Sequence, residues 1–164
     1  MVVQNYEEVD VYPIAPDLQE EILKTQNECS FVWGTQDHWP IGVIMSYVWL
    51  DGKFWLTASG QRARIRAIRR DPRVSLIISS VGTKFGPAKS ITVKGRVRLL
   101  DDSATKDRIL PLLSAAILPG ADELQKKFTA MMDSERRLVL EVTPEKWITF
   151  DAAGMMQASI MGAD

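Results

Sequence analysis

Residues Phe54 to Ser79 read FWLTASGQRARIRAIRRDPRVSLIIS, and two changes of period inside this stretch decide the fold. Phe54 to Thr57 is dense in apolar, aromatic and β-branched residues, the composition of a strand. After Ser59-Gly60, the run QRARIRAIRRDP sets Ile65 and Ile68 three apart, the narrow apolar stripe of a short helix that Asp71-Pro72 stops. Val74 to Ser80 (VSLIISS) returns to strand character. A short, arginine-heavy helix thus lies between two strands.

Working outward, Ser30 to Thr35 (SFVWGT) and Ile41 to Leu50 (IGVIMSYVWL) are also predicted strands. Asp37-His38-Trp39-Pro40 can close a hairpin between them, and Asp51-Gly52 is a strong hairpin signal before Phe54, so a meander is the economical topology. Upstream, Leu18 to about Glu28 reads as a short amphipathic helix with Asp17 as its N-cap, preceded by a polar arm, Met1 to Pro16. Downstream, the loop VGTKFGPAK leads to a half-exposed strand, Ile91 to Leu100 (ITVKGRVRLL). Asp102 to about Met132 is helical and broken near Pro119-Gly120, with Asp101-Asp102 as a capping pair. Arg137 to Phe150 is a last strand kinked at Pro144, and the tail Asp151 to Asp164, with Met155, Met156 and Met161, has weak periodicity and is expected to be mobile or to dock on a neighbour. The 164 residues suit one domain, 1–164, mainly β within an α+β class, with no internal repeat.

Composition excludes several functions. Twenty Lys and Arg against 21 Asp and Glu leave a net charge of -1, which removes the global basic excess of a dedicated nucleic-acid binder. The richest apolar stretch, Ile41 to Leu50, is about half a membrane span, so no membrane partner is expected. The single Cys29 and an opening already acidic by Glu7 point to a reducing, cytoplasmic setting. One histidine, His38, in a turn beside Trp39-Pro40, gives little basis for a catalytic triad, and His38 and Cys29 lie in different elements without metal-ligand spacing. The carboxylates are scattered, and no glycine-rich phosphate loop follows a strand in a βαβ context.

Six arginines, Arg62, Arg64, Arg66, Arg69, Arg70 and Arg73, fall within twelve residues relieved only by Asp71. A run of charge is usually a solvated face. Arg62 and Arg64, however, are placed in the first helical turn, where the macrodipole is positive and a cation costs roughly 0.3–1 kcal/mol. A bound anion reverses that sign, and Ser59-Gly60 just before the turn offers a hydroxyl and backbone N–H groups for one. Helical geometry sets Arg64 beside the Ile65/Ile68 edge, so Arg64 is the best candidate for a partly buried anion ligand. The five tryptophans, Trp33, Trp39, Trp49, Trp55 and Trp147, fall in or beside strands, where core and interface packing is the ordinary role.

The order strand, hairpin, strand, then FWLTASGQRARIRAIRRDPRVSLIIS resembles the pyridoxamine 5'-phosphate oxidase-like, flavin-binding split-barrel superfamily over roughly Ser30 to Leu100. The turn Asp51-Gly52-Lys53-Phe54-Trp55, the junction Arg70-Asp71-Pro72-Arg73-Val74 and the strand Lys94-Gly95-Arg96-Val97 carry the resemblance by their order and spacing. It implies a six-stranded antiparallel split β-barrel with flanking short helices, working as a homodimer with two cofactor sites at the subunit interface. It also implies that Thr57, Ser59, Arg62 and Arg64 hold the cofactor phosphate, that the ring lies along Ile44, Met45 and Ser46, and that Lys89 reaches it. The C-terminal Trp and Arg-x-His features of the vitamin enzyme are missing, which argues against pyridoxamine phosphate oxidation. The chain looks more like the branch whose members use FMN or coenzyme F420.

The function expected is a flavin- or deazaflavin-dependent oxidoreductase moving a hydride between FMN or F420 and a small organic substrate, with the proton coming from solvent or a tyrosine such as Tyr47. The alternative is a non-enzymatic flavin- or haem-binding sensor, carrier or store on the same barrel.

Overall fold

The computed structural model describes residue 7 and residues 11–160. Along the chain run α1 (Pro16–Thr25), β1 (Glu28–Gly34), β2 (Pro40–Ser46), β3 (Val48–Leu50), β4 (Lys53–Ser59), α2 (Ala63–Arg70), β5 (Arg73–Ser79), β6 (Lys89–Leu100), α3 (Ser103–Ile117), α4 (Asp122–Met132), β7 (Arg137–Asp151) and α5 (Ala152–Ile160). The strands form one antiparallel sheet in the order β2-β1-β5-β6-β7-β4-β3.

The run Ile41 to Leu50, expected as a single strand, is two. Tyr47 divides it, and its halves lie at opposite ends of the sheet order. Because β2 and β3 are consecutive in the chain, the sheet must curl until its two edges meet at Tyr47. That closes the barrel, and counting the run as one bent strand recovers the expected six. The corner is held from inside: Tyr47 is fully buried, its N–H donates to the Asn27 carbonyl (2.9 Å) and its hydroxyl to the Leu23 carbonyl (3.2 Å).

The two hairpins form where expected. At the β3–β4 turn Asp51 and Gly52 both adopt left-handed φ, 55° and 70°, which matches the twist of the strands they join. A plain meander does not follow, since β4 pairs with β7 and β5 with β1 across the α2 connection.

Alternation along the strands fills the barrel. Cys29, Phe31 and Trp33 of β1, Val74, Leu76 and Ile78 of β5, and Ile91, Val93 and Val97 of β6 point inward, and Ile65 and Ile68 of α2 plug one end. A second cluster packs α3 and α4 on the barrel through Ile109, Leu110, Leu113 and Met132 against Trp55 and Val139. Asp102 caps α3, its Oδ1 accepting from the Thr105 N–H (2.8 Å), and the break at Pro119-Gly120 stands, with Gly120 at φ 73°.

Helix α1 begins at Pro16 with Ala15 as N-cap, so Asp17 lies in the first turn and does not cap it. Its end is earlier than expected because Glu28 pairs with Ser46 in the sheet. Of the N-terminal arm, Tyr12 and Ile14 are buried along β7, while residues 1–6 and 8–10 lie outside the described residues. The tail is helical over Ala152–Ile160, with the Gly154 N–H bonded to Asp151 Oδ1 (3.0 Å), and Met161 lies outside the described residues.

The kink expected at Pro144 is a register shift between Lys94 and Gly95 of β6, accommodated because proline has no N–H for the ladder. There Gly95 comes close to β7: a Cβ would sit 2.7 Å from the Thr143 carbonyl oxygen and 3.0 Å from Val142 Cγ1. Gly95→Ala is therefore expected to destabilise by about 1–3 kcal/mol in denaturant unfolding. Gly34→Ala, where a Cβ would meet nothing, is the control.

Candidate functional site

Helix α2 opens with Arg62 as its N-cap residue, in extended conformation, and carries no acidic residue in its first turn. Ser59 does not cap the helix; its carbonyl accepts from the Arg62 N–H (3.0 Å). Gly60 is also not free as expected: its N–H is bonded to the Arg136 carbonyl (2.7 Å), which ties the start of α2 to the start of β7. That tie brings in a residue the sequence reading missed. Arg137 pairs with Ser59 across the β4–β7 ladder, and its Nε donates to the Met132 carbonyl (2.9 Å).

Three guanidiniums therefore share this corner. Burial, and then the charge of Arg62, hold both Arg64 and Arg137 below the usual arginine range. Among the described residues no carboxylate forms an ion pair with any of the three, and the Nε of Arg64 is buried without a hydrogen-bond partner. Desolvated like charges without a counter-ion are unfavourable, so the arrangement fits an anion between them. By contrast Arg73 is matched to Asp71 (2.6 Å), and Arg70 donates to the Gly34 carbonyl (3.1 Å) at the far end of the helix.

Next to this corner β2 and β4 form no ladder with each other. Strand β3 pairs with β4 from Val48↔Trp55 to Leu50↔Lys53, whereas β2 pairs only with β1. If the register continued past Tyr47, Ser46 would face Thr57 and Ile44 would face Ser59, but no ladder forms there. Two strand edges diverge instead, with the backbone groups of Ile44, Met45 and Ser46 on one side and those of Thr57 to Ser59 on the other. Five expected site residues thus line one split, with Arg62 and Arg64 at its end. Within it Ile44 is exposed, Met45 turns into the core, and the Thr57 hydroxyl donates to the Leu138 carbonyl (2.8 Å), so its proton is already committed.

By sequence, the pyridoxamine 5'-phosphate oxidase family model matches residues 17–151. The chain belongs to the pyridoxamine 5'-phosphate oxidase family. Comparison with curated proteins finds no match. Among solved structures, the conserved hypothetical protein Rv2991 from Mycobacterium tuberculosis is similar at TM-score 0.73 and 18% identity, covering 85% of this chain and 86% of that one. An F420 reductase is similar at 0.56 and 17%, covering 79% and 94%. HutZ, the haem storage protein from Vibrio cholerae, is similar at 0.63 and 11%, covering 82% and 94%. At these identities the likeness is one of fold.

In this member of the pyridoxamine 5'-phosphate oxidase family, Lys89 lies apart from the cradle. It faces Asp151, with Nζ 3.3 Å from Oδ1, while Arg137 is at the other end of the fifteen-residue β7. Tyr47 is not placed to give a proton, since burial, and then Cys29, raise its hydroxyl above the ordinary tyrosine range. Burial likewise pushes the Cys29 thiol up to about 12, so it is not a nucleophile. Trp33 and Trp55 are core residues, Trp49 and Trp147 meet edge to face (5.9 Å), and Trp39 stands 66% exposed in the β1–β2 turn beside His38. Among the described residues no group of three potential metal ligands occurs, and no helix is long and apolar enough to cross a membrane.

Proposed function

We propose that this protein is an oxidoreductase that holds a phosphate-bearing flavin or deazaflavin, FMN or coenzyme F420, in the split between β2 and β4 and moves a hydride between it and a small organic substrate. The observation that carries the reading is the convergence of Arg62, Arg64 and Arg137, without a carboxylate partner, at the end of that split. The phosphate would lie among the three guanidiniums, and the ring would meet the edge of β2 at Ile44 to Ser46 that faces away from β1. The bound ring supplies the hydride chemistry; the chain binds, orients and shields it. That division of labour suits a split with no acid or base side chain on its two edges.

The working unit in this reading is a homodimer. Cross-strand pairing aligns Ile44, Ser30, Ile77, Thr92 and Ile148 in one row over five strands of the outer face. Its three isoleucines are 65%, 42% and 49% exposed, an apolar stripe that a second copy would cover. Ile44 belongs to both stripe and split, so in this reading the ring would lie at the interface. Ile77→Asp is expected to leave the fold intact and shift the protein to monomer in sedimentation velocity; an unchanged dimer would remove this face from the interface.

The test of the cofactor reading is an equilibrium titration with FMN and with F420 at two salt concentrations, followed by cofactor fluorescence. Tight binding that weakens with salt supports the cradle, and the preferred compound decides between flavin and deazaflavin. Binding of neither would overturn the reading. Turnover of the reduced cofactor with electron acceptors separates an enzyme from the alternative, a flavin or haem store. Haem ligation by histidine has only His38 to use, and that residue lies in the exposed β1–β2 turn.

A further inference from the structure

A second unfavourable arrangement of charge lies on the outer face of the sheet, at the opposite end of α2 from the cradle. In the β5–β6 ladder Arg73 stands directly across from Arg96, and in the β6–β7 ladder Lys94 stands directly across from Lys146. Like charges at opposed positions destabilise a sheet. Arg73 and Arg96 are partly compensated by Asp71 (2.6 Å) and Glu145 (2.7 Å), but among the described residues Lys94 forms no ion pair.

These side chains border a cleft of about 400 Å³, within the size range of small-molecule sites. Its wall includes Val32, Trp33 and Pro40, its rim carries Arg73 and Lys94, and it continues into a polar hollow bounded by Arg70, Arg96 and His38. At Gly34 a Cβ would meet no atom within 4 Å, which marks open space above that part of the cleft floor. Arg70, Arg73, Lys94 and Arg96 against Asp71 and Glu145 leave an excess of two positive charges on a chain whose net charge is -1.

We infer that this cleft is a second binding site, separate from the phosphate cradle, for a small organic anion: a carboxylate or phosphate held by Arg73, Lys94 and Arg96, on an apolar body resting against Val32 and Pro40. The inference stands independently of the flavin reading, because it uses none of the residues of the split.

The test is calorimetric titration with 2-naphthoate, 2-naphthyl phosphate and the neutral 2-naphthamide. The two anions distinguish the head groups, and the amide measures what the apolar wall does alone. At least one anion is expected to bind five-fold or more tightly than the amide. Gly34→Leu, which puts a side chain into the open space without a positive φ to strain it, should weaken that anion ten-fold or more. Lys94→Ala should weaken it three- to five-fold, and Arg64→Ala should not change it. Circular dichroism checks that Gly34→Leu folds; if it does not, the exposed Lys94→Ala decides. The inference is overturned if neither anion binds at millimolar concentration or if the amide binds equally well. It is also overturned if Gly34→Leu and Lys94→Ala leave binding unchanged, or if Arg64→Ala abolishes it, which would place the ligand in the cradle.

Discussion

Arg64→Ala is expected to weaken binding of the flavin-type cofactor about 10- to 150-fold, roughly 1.5–3 kcal/mol, the scale of a charged hydrogen bond. It is also expected to leave the melting temperature of the cofactor-free protein unchanged or raised. The two signs come from one cause. In the free chain the Arg64 guanidinium is desolvated, repelled by Arg62 and left with a buried Nε that nothing accepts from, so its charge opposes folding. An anion converts that liability into a contact. Arg137→Ala should weaken cofactor binding in the same way, because Arg137 shares the repulsion of Arg62, but it should also lower the melting temperature, because the hydrogen bond to the Met132 carbonyl (2.9 Å) is lost. Arg70→Ala should change cofactor affinity little, since its guanidinium reaches Gly34 at the other end of α2. Equal and small losses for Arg64 and Arg70 would remove the cradle from the cofactor site.

The second large effect is expected at the corner that closes the barrel. Tyr47→Ala should cost about 3–5 kcal/mol in denaturant unfolding, the range for emptying a large aromatic site in a core. Tyr47→Phe, which loses only the hydrogen bond to the Leu23 carbonyl, should cost about 1 kcal/mol. The ring packs edge to face on Phe54 with centroids 5.2 Å apart, so the alanine variant also loosens the start of β4. Cofactor affinity should then fall with stability in Tyr47→Ala and hold in Tyr47→Phe. A loss below 1 kcal/mol for the alanine variant would show that the corner is held from elsewhere.

What the sequence made legible was local. Strand, basic helix and strand over Phe54 to Ser79 follow from a switch of period, and Asp51-Gly52 and Asp102 announce a turn and a cap by their own chemistry. Arg62 and Arg64 were legible for the same reason, since a helix start without an acid is a local anomaly. Arg137 was not. It lies far along the chain in a run that reads only as strand, and what makes it part of the cradle is the Ser59↔Arg137 register of a long-range ladder. The break at Tyr47 was hidden too, because no glycine or proline marks Ser46-Tyr47-Val48 and the bend is imposed by packing and by Asn27. The opposed pairs Arg73/Arg96 and Lys94/Lys146 depend on register in the same way: their charges are plain in the sequence, their juxtaposition is not.

The diverging edges of β2 and β4 bear on how the chain behaves when nothing fills the split. A strand edge without a ladder is a template for any extended peptide, and here β2 and β4 each pair on one edge beside Tyr47 and form no ladder with each other, with Ile44 of β2 exposed. Cells that make this protein faster than they supply its ligand would accumulate chains able to recruit one another strand by strand. Ligand supply during expression should thus govern how much of the protein stays out of inclusion bodies.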